Sequence, residues 1–372
     1  MSKETRKAKA EPDPEIPSPR ETASLAGHAL AEQRLRQAAL SGRMPHAWLF
    51  TGPRGIGKAT LAYRFVRWLL ADGAAAGQGA DLFGAAPEDL ALDPEHPVFR
   101  RVASGGHREL LSVARGVNPK TGKPRDEIVA EDVHPVRGFL RMTAAEGAWR
   151  AVIVDGAEEM NLTAANALLK VLEEPPAGAV LVLVSHAPGS LLPTIRSRCC
   201  RLALSPLAEP QVAELLRVFL PDLDEADLAT LARLGEGSVG RALELWRGGG
   251  LELYREMLGL LGGLPRLDPV RLHGFADRLS GPTGNEAFRT VSGLMTWWLA
   301  RLVRAGASGT LPAEVVEGEG ALVADLLGRG NLAQWLGLWE KLGRLFARAE
   351  GAKLDRKQVL VTAFAELEAL AR

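Results

Sequence analysis

The segment Gly52-Pro53-Arg54-Gly55-Ile56-Gly57-Lys58 constrains this chain more than any other. It follows the apolar run Ala47-Trp48-Leu49-Phe50-Thr51 and precedes a stretch in which Leu61, Phe65, Trp68 and Leu69 recur at helical spacing. A buried strand, a glycine-rich turn and a helix in that order match the first seven positions of the phosphate-binding loop pattern. Glycines let consecutive backbone amides turn inward around phosphate oxygens. The helix N-terminus adds its dipole, and Lys58 brings a positive charge to the outer phosphates. A plain glycine turn ahead of a surface helix is disfavoured by that context.

The eighth position of the pattern is a Ser or Thr whose hydroxyl ligates magnesium, and here it is Ala59. Thr60 stands one residue further, about a hundred degrees around the helix, and need not substitute, so weak magnesium binding is expected. A second buried strand, Ala151-Val152-Ile153-Val154, ends at Asp155, where a carboxylate can hold the magnesium shell. The alternative for Asp155 is a solvated cap of the next helix. A glutamate that activates water usually follows in hydrolytic proteins, but Gly156 stands there. Glu158 and Glu159, on the following turn, are expected to point away from the pocket. The pattern favours nucleotide binding over hydrolysis.

Other segments place these motifs in a fold. Val180 to Val184 reads as a third strand and Arg201 to Leu204 as a fourth, with helices between them. Strands alternating with helices imply a parallel, doubly wound α/β sheet. Residues 71–122 loosen into Gly, Ala, Pro and Asp and read as an insertion. Glu131 to Met142 is helical, and Asn161 or Thr163 can cap a helix that Pro175-Pro176 stops. Beyond Pro206 the strand signals vanish and only amphipathic helices follow, with Gly248-Gly249-Gly250 as a plausible joint.

Lys and Arg together number 45, as do Asp and Glu, so net charge gives no global pull toward nucleic acid or membrane. The cysteines are the neighbours Cys199 and Cys200, which cannot staple distant segments and fit a reducing, cytoplasmic compartment. The proline- and lysine-rich start lacks an apolar core and reads as a disordered tail over 1–21. Apolar stretches such as Ala179 to Val184 are too short to span a bilayer, so a soluble protein is expected. In Leu191-Leu192-Pro193-Thr194-Ile195-Arg196-Ser197-Arg198-Cys199, two arginines at a sheet edge can pair with local carboxylates or reach a neighbouring subunit's phosphate.

Asn166-Ala167-Leu168-Leu169-Lys170-Val171-Leu172-Glu173-Glu174-Pro175-Pro176 followed by Ile195-Arg196-Ser197-Arg198-Cys199 closely resembles the clamp-loader subunits among the AAA-type ATPases. Resemblance extends from about Leu25 to Arg247. Within that family, Gly27-His28, the approach Pro45-His46-Ala47-Trp48-Leu49-Phe50, His96-Pro97 and the altered Ala59 and Gly156 resemble the delta-prime branch rather than gamma or tau. The resemblance implies an AAA-type P-loop domain over 22–205, a helical lid over 206–248 and a helical collar for oligomerisation over 249–372.

The resemblance also implies roles. Arg198 becomes an arginine finger presented to ATP on an adjacent gamma or tau subunit, against the plain alternative of a local salt bridge. Ser185 falls at the sensor position that ends the third strand, where small polar residues are common in any case. Arg241, in Gly237-Ser238-Val239-Gly240-Arg241, matches a second sensor, although an exposed helix arginine would look the same. Expected partners are delta and gamma/tau subunits, the sliding clamp and, through the complex, primed DNA within the polymerase III holoenzyme. The cofactor expected is ATP at Gly52, Gly55, Gly57, Lys58, Ala59, Thr60 and Asp155, with weak or no hydrolysis by this chain alone. Some clamp-loader subunits carry a four-cysteine zinc module between the loop and the acidic strand. Residues 71–122 hold no cysteine, and His96, His107 and His134 lack ligand spacing, so no zinc is expected. Alternatives are an active ATPase in which Thr60 and Glu158 or Glu159 fill the missing roles, and a scaffold without nucleotide.

Overall fold

The structure, a computed structural model, describes residues 16–71, 89–117, 122–123, 125–142, 149–281, 284–352 and 354–372. The chain divides into two compact units, Met1–Pro221 with Glu236–Gly240, and Asp222–Gly235 with Arg241–Arg372. The segment 206–248 expected as a lid is therefore shared between them.

In the first unit the elements run α1 (Ala29–Leu40), β1 (Ala47–Thr51), α2 (Lys58–Leu70), α3 (Pro97–Ala103), β2 (Leu110–Val113), α4 (Ala130–Arg141), β3 (Arg150–Asp155), α5 (Leu162–Glu173), β4 (Ala179–Ser185), α6 (Pro193–Arg196), β5 (Cys200–Ala203) and α7 (Glu209–Phe219). The five strands pair in parallel in the order β2-β3-β4-β1-β5. One strand more is present than the sequence suggested. Strand β2 lies inside the stretch read as an insertion, because an edge strand of four residues, mostly half-buried, carries almost no periodicity. Other parts of that stretch, 72–88 and 118–121, lie outside the described residues, as does 1–15 of the expected tail.

Alternation along the strands sends side chains to two cores. Trp48, Phe50, Ile153, Val182 and Val184 pack with Leu61, Phe65 and Leu69 of α2 on one face. Leu49, Val152, Val154, Leu181 and Leu183 pack with Val133 and Val136 of α4 and Leu168 and Leu172 of α5 on the other. With both faces covered, β3 and β4 read as nearly unbroken apolar runs, as parallel sheets require. Asn161 Oδ1 caps α5 by accepting from the Ala164 amide at 2.9 Å, and the helix ends just before Glu174-Pro175-Pro176.

Residues 16–21 of the expected tail are placed and tied down. The buried Arg67 on α2 donates to the carbonyls of Arg20 at 3.0 Å and Thr22 at 2.7 Å, while Arg64 donates to that of Ala23. Composition alone gives no hint of these anchors, which lie more than forty residues away in sequence.

The second unit is helical: α8 (Glu225–Gly235), α9 (Val239–Arg247, its first two residues counted with the first unit), α10 (Gly250–Leu261), α11 (Pro269–Ser280), α12 (Asn285–Ser308), α13 (Glu319–Arg329), α14 (Leu332–Ala352) and α15 (Arg356–Ala371). Trp298 and Trp335 are fully buried in it. Glu319, also buried, accepts from the Tyr254 hydroxyl at 3.0 Å and the Val315 amide at 2.7 Å. Among the described residues no helix is long and apolar enough to cross a membrane.

Candidate functional site

Parallel pairing brings the C-terminal ends of three strands level: Thr51 of β1 lies opposite Ser185 of β4, and Asp155 of β3 opposite Val184. In an open α/β sheet that edge is where ligands bind. The glycine loop leaves β1 there. Gly52, Gly55 and Gly57 all have positive φ, at 146°, 74° and 99°. At Gly52 the turn excludes any side chain, since a Cβ would lie 2.4 Å from the Leu204 carbonyl oxygen.

Lys58 opens α2 and is buried, its Nζ donating to the carbonyls of Gly52 at 2.7 Å and Pro53. Burial pulls its ammonium from 10.5 down to about 8, against the pull of Glu158 and Asp155, with Arg54 adding to the fall. Asp155 shifts the other way: burial raises it, opposed by His186 and Lys58.

Glu158 corrects the sequence reading. Gly156 takes φ 77° and the chain makes a single tight turn over Ala157–Glu159, which swings Glu158 back toward Lys58. Glu159 alone points away and pairs with Arg115 at 2.9 Å. Glu158 Oε1 accepts from the backbone N and from Nδ1 of His186, both at 2.8 Å. Burial pushes its carboxyl up, but the bonds from His186 and a backbone N–H of its own turn outweigh it and hold the group at about 2. Ser185 is fully buried at the end of β4.

The loop and Lys58 fit the phosphates of a nucleotide. Ala59 offers no hydroxyl to a metal, Thr60 is half-buried one residue on, and Asp155 and Glu158 are the carboxylates whose charges act on Lys58. Among the described residues no group of three or more His, Cys, Asp or Glu is arranged to hold a metal ion.

Arg198 follows α6 at the edge next to β5. Its guanidinium donates to the Thr194 carbonyl at 3.1 Å and pairs with Glu173, the last residue of α5, at 2.9 Å. Both side chains are more than a third exposed. Arg196, exposed as well, donates to the Pro188 carbonyl at 3.2 Å.

Residues 27–208, which span the loop, Asp155, Ser185 and Arg198, match the family model described as DNA polymerase III, delta subunit. The DNA polymerase III subunit delta' of Pseudomonas aeruginosa is 37% identical over 201 residues, 54% of this chain and 56% of that protein. Over those residues the chain is similar to the delta-prime clamp-loader family. More distant relatives are the gamma/tau subunit of Mycobacterium bovis, 32% identical over 180 residues, and the tau subunit of Escherichia coli, 30% identical over 208. The match takes up 48% of this chain and 28% of the first, and 55% of this chain and 29% of the second. The chain thus spans about half the length of the delta-prime relative and under a third of the other two.

The site also holds residues that sequence reasoning did not single out as parts of it, His186, His28 and Ser238, while Glu158 entered only through the alternative of an active ATPase. Their signals were faint, namely a glycine at the turn before Glu158 and the glycine neighbours of His28 and Ser238. Arg241 belongs to the second unit, where its guanidinium carbon lies 6.0 Å from the centre of the Trp297 ring.

Proposed function

We propose that this chain is the delta-prime-type subunit of a bacterial clamp loader. It assembles with delta and gamma/tau subunits in the cytoplasm, as part of the polymerase III holoenzyme, and helps to load the sliding clamp onto primed DNA. Its chemical contribution is Arg198, placed against ATP on a neighbouring subunit, where a fixed guanidinium charge stabilises the transferring phosphoryl group. The observation that carries this reading is the setting of Arg198. It is half-exposed at a sheet edge and held by one carbonyl and a surface ion pair worth about 0–1 kcal/mol, so a polyanionic phosphate can outcompete its present partners.

The chain's own loop holds a nucleotide by its phosphates and turns it over weakly or not at all. Ala59 and Gly156 support this, as does a Glu158 carboxylate already engaged by His186 and made less basic than an ordinary glutamate by that bonding. Ser185 and Arg241 serve as the sensors, and residues 249–372 as the collar. The orientation of Glu158 toward Lys58 favours a second reading, an ATPase acting in its own pocket.

The test is the assembled complex with Arg198→Ala. The site that Arg198 serves is expected to slow by about 10³-fold, lowering clamp- and DNA-stimulated ATPase while the subunits still co-elute. Unchanged ATPase removes the finger. ATP hydrolysis by the isolated chain that collapses in Lys58→Ala selects the second reading instead.

A further inference from the structure

Three successive carbonyls of the phosphate loop are tied from outside it. The Arg54 carbonyl accepts from Ser238 Oγ at 2.7 Å, that of Gly55 from the Gly240 amide at 2.9 Å, and that of Ile56 lies 2.7 Å from Nε2 of His28. Ser238 and His28 are both buried. A carbonyl can only accept, so Nε2 carries the proton, and burial keeps the ring neutral by lowering its affinity for a second one. In a trans peptide the N–H of the next residue points opposite to the carbonyl. Anchoring these three carbonyls therefore fixes the N–H groups of Gly55, Ile56 and Gly57 on the other side of the loop.

The two anchoring segments are built for close approach. A Cβ on Gly240 would lie 2.7 Å from Gly55 Cα, so backbone meets backbone there. Ahead of it, Glu236 is held at φ 48° beside Gly237 at φ 79°, and the Gly237 carbonyl accepts from the Leu207 amide at 2.9 Å. A non-glycine residue in that region marks strain held by its surroundings. On the other side, Gly27 abuts the Leu207 side chain and leads into His28. All these residues belong to the first unit.

We infer that Gly27-His28 and Gly237–Gly240 act as a two-sided latch, positioning the phosphate loop as a preformed anion cradle that takes a nucleotide's phosphates without a metal ion. The inference rests on the reading that this chain's own loop holds nucleotide. A loop already fixed in its binding shape spends no affinity on ordering itself. Inward amides with Lys58 supply the charge that magnesium ligated after the lysine would otherwise share. His28 and Ser238 touch the loop and not the ligand, so they are positioning residues.

The test is calorimetric binding of ADP and ATP to the full chain, in magnesium and in EDTA, for the parent, Ser238→Ala, Ser238→Thr and Gly240→Ala. The parent is expected to bind with affinities that differ by less than about twofold between the two conditions. Ser238→Ala, which removes the side-chain donor to the Arg54 carbonyl, is expected to weaken both nucleotides about tenfold, with Ser238→Thr near the parent and the ligand-free melting curve little changed. Gly240→Ala is expected to lose binding; should it fail to fold, the serine pair decides. Parent affinity that collapses in EDTA, or Ser238→Ala binding like the parent, overturns the inference while nucleotide in the loop stands. A parent that binds neither nucleotide under either condition overturns the underlying reading as well.

Discussion

The depressed Lys58 makes nucleotide affinity depend on pH in a direction that can be worked out in advance. Free in the folded chain, the ammonium releases its proton at about 8, because burial outweighs the attraction of Glu158 and Asp155. Bound phosphates add negative charge beside Nζ and keep the proton on through the range in which the free chain loses it. Above pH 8 binding must therefore take up a proton, and affinity falls as pH rises, by about 1.4 kcal/mol or tenfold per unit. At pH 9 the nucleotide is expected to bind about tenfold more weakly than at pH 7. The phosphates, with a last pKa of about 6, are ionised throughout, and His28 beside the loop stays neutral. Titration calorimetry from pH 7 to 9.5, in two buffers of different ionisation enthalpy, measures both the affinity and the protons taken up. Uptake should approach one per nucleotide at pH 9 and vanish in Lys58→Arg. A flat affinity in the parent, or the same slope in Lys58→Arg, would refute this account of the pocket. The ligand-free chain responds in the opposite sense. The unfolded lysine keeps its proton to about 10.5, so folding stability rises between pH 8 and 10.5, by up to about 3 kcal/mol.

Two further outcomes concern stability. Glu319→Ala leaves the Val315 amide and the Tyr254 hydroxyl buried without their acceptor, and Arg301, 3.7 Å away, without its counter-charge. It is expected to cost about 3–5 kcal/mol in urea unfolding, and a loss below about 1 kcal/mol would remove the buried carboxylate from the list of what holds the second unit together. Leu183→Ala on β4, fully buried in the core beneath α4 and α5, should cost about 2–5 kcal/mol. A change small enough to leave the urea midpoint in place would show that this face of the sheet is loosely packed.

Much of the α/β unit was legible from local pattern. The strand before Gly52, the helix after Lys58, Asp155 at a strand end, the Asn161 cap and the stop at Pro175-Pro176 are all features in which residues a few positions apart decide the backbone. Strand β2 was not, since at the sheet edge most of it is only half-covered and its side chains need not alternate. The candidate site divides along the same line. The glycine loop, Lys58, Ala59 and Gly156 could be read residue by residue, and together they already favoured nucleotide binding over hydrolysis. What the sequence could not tell is where side chains meet across the fold. A positive-φ glycine turned Glu158 back to Lys58, Arg198 found Glu173, and Ser238 reached the carbonyl of Arg54 across 184 residues of chain. Periodicity and turn chemistry act over a few residues, whereas a hydrogen bond between distant residues forms only once the sheet and its helices have brought them together.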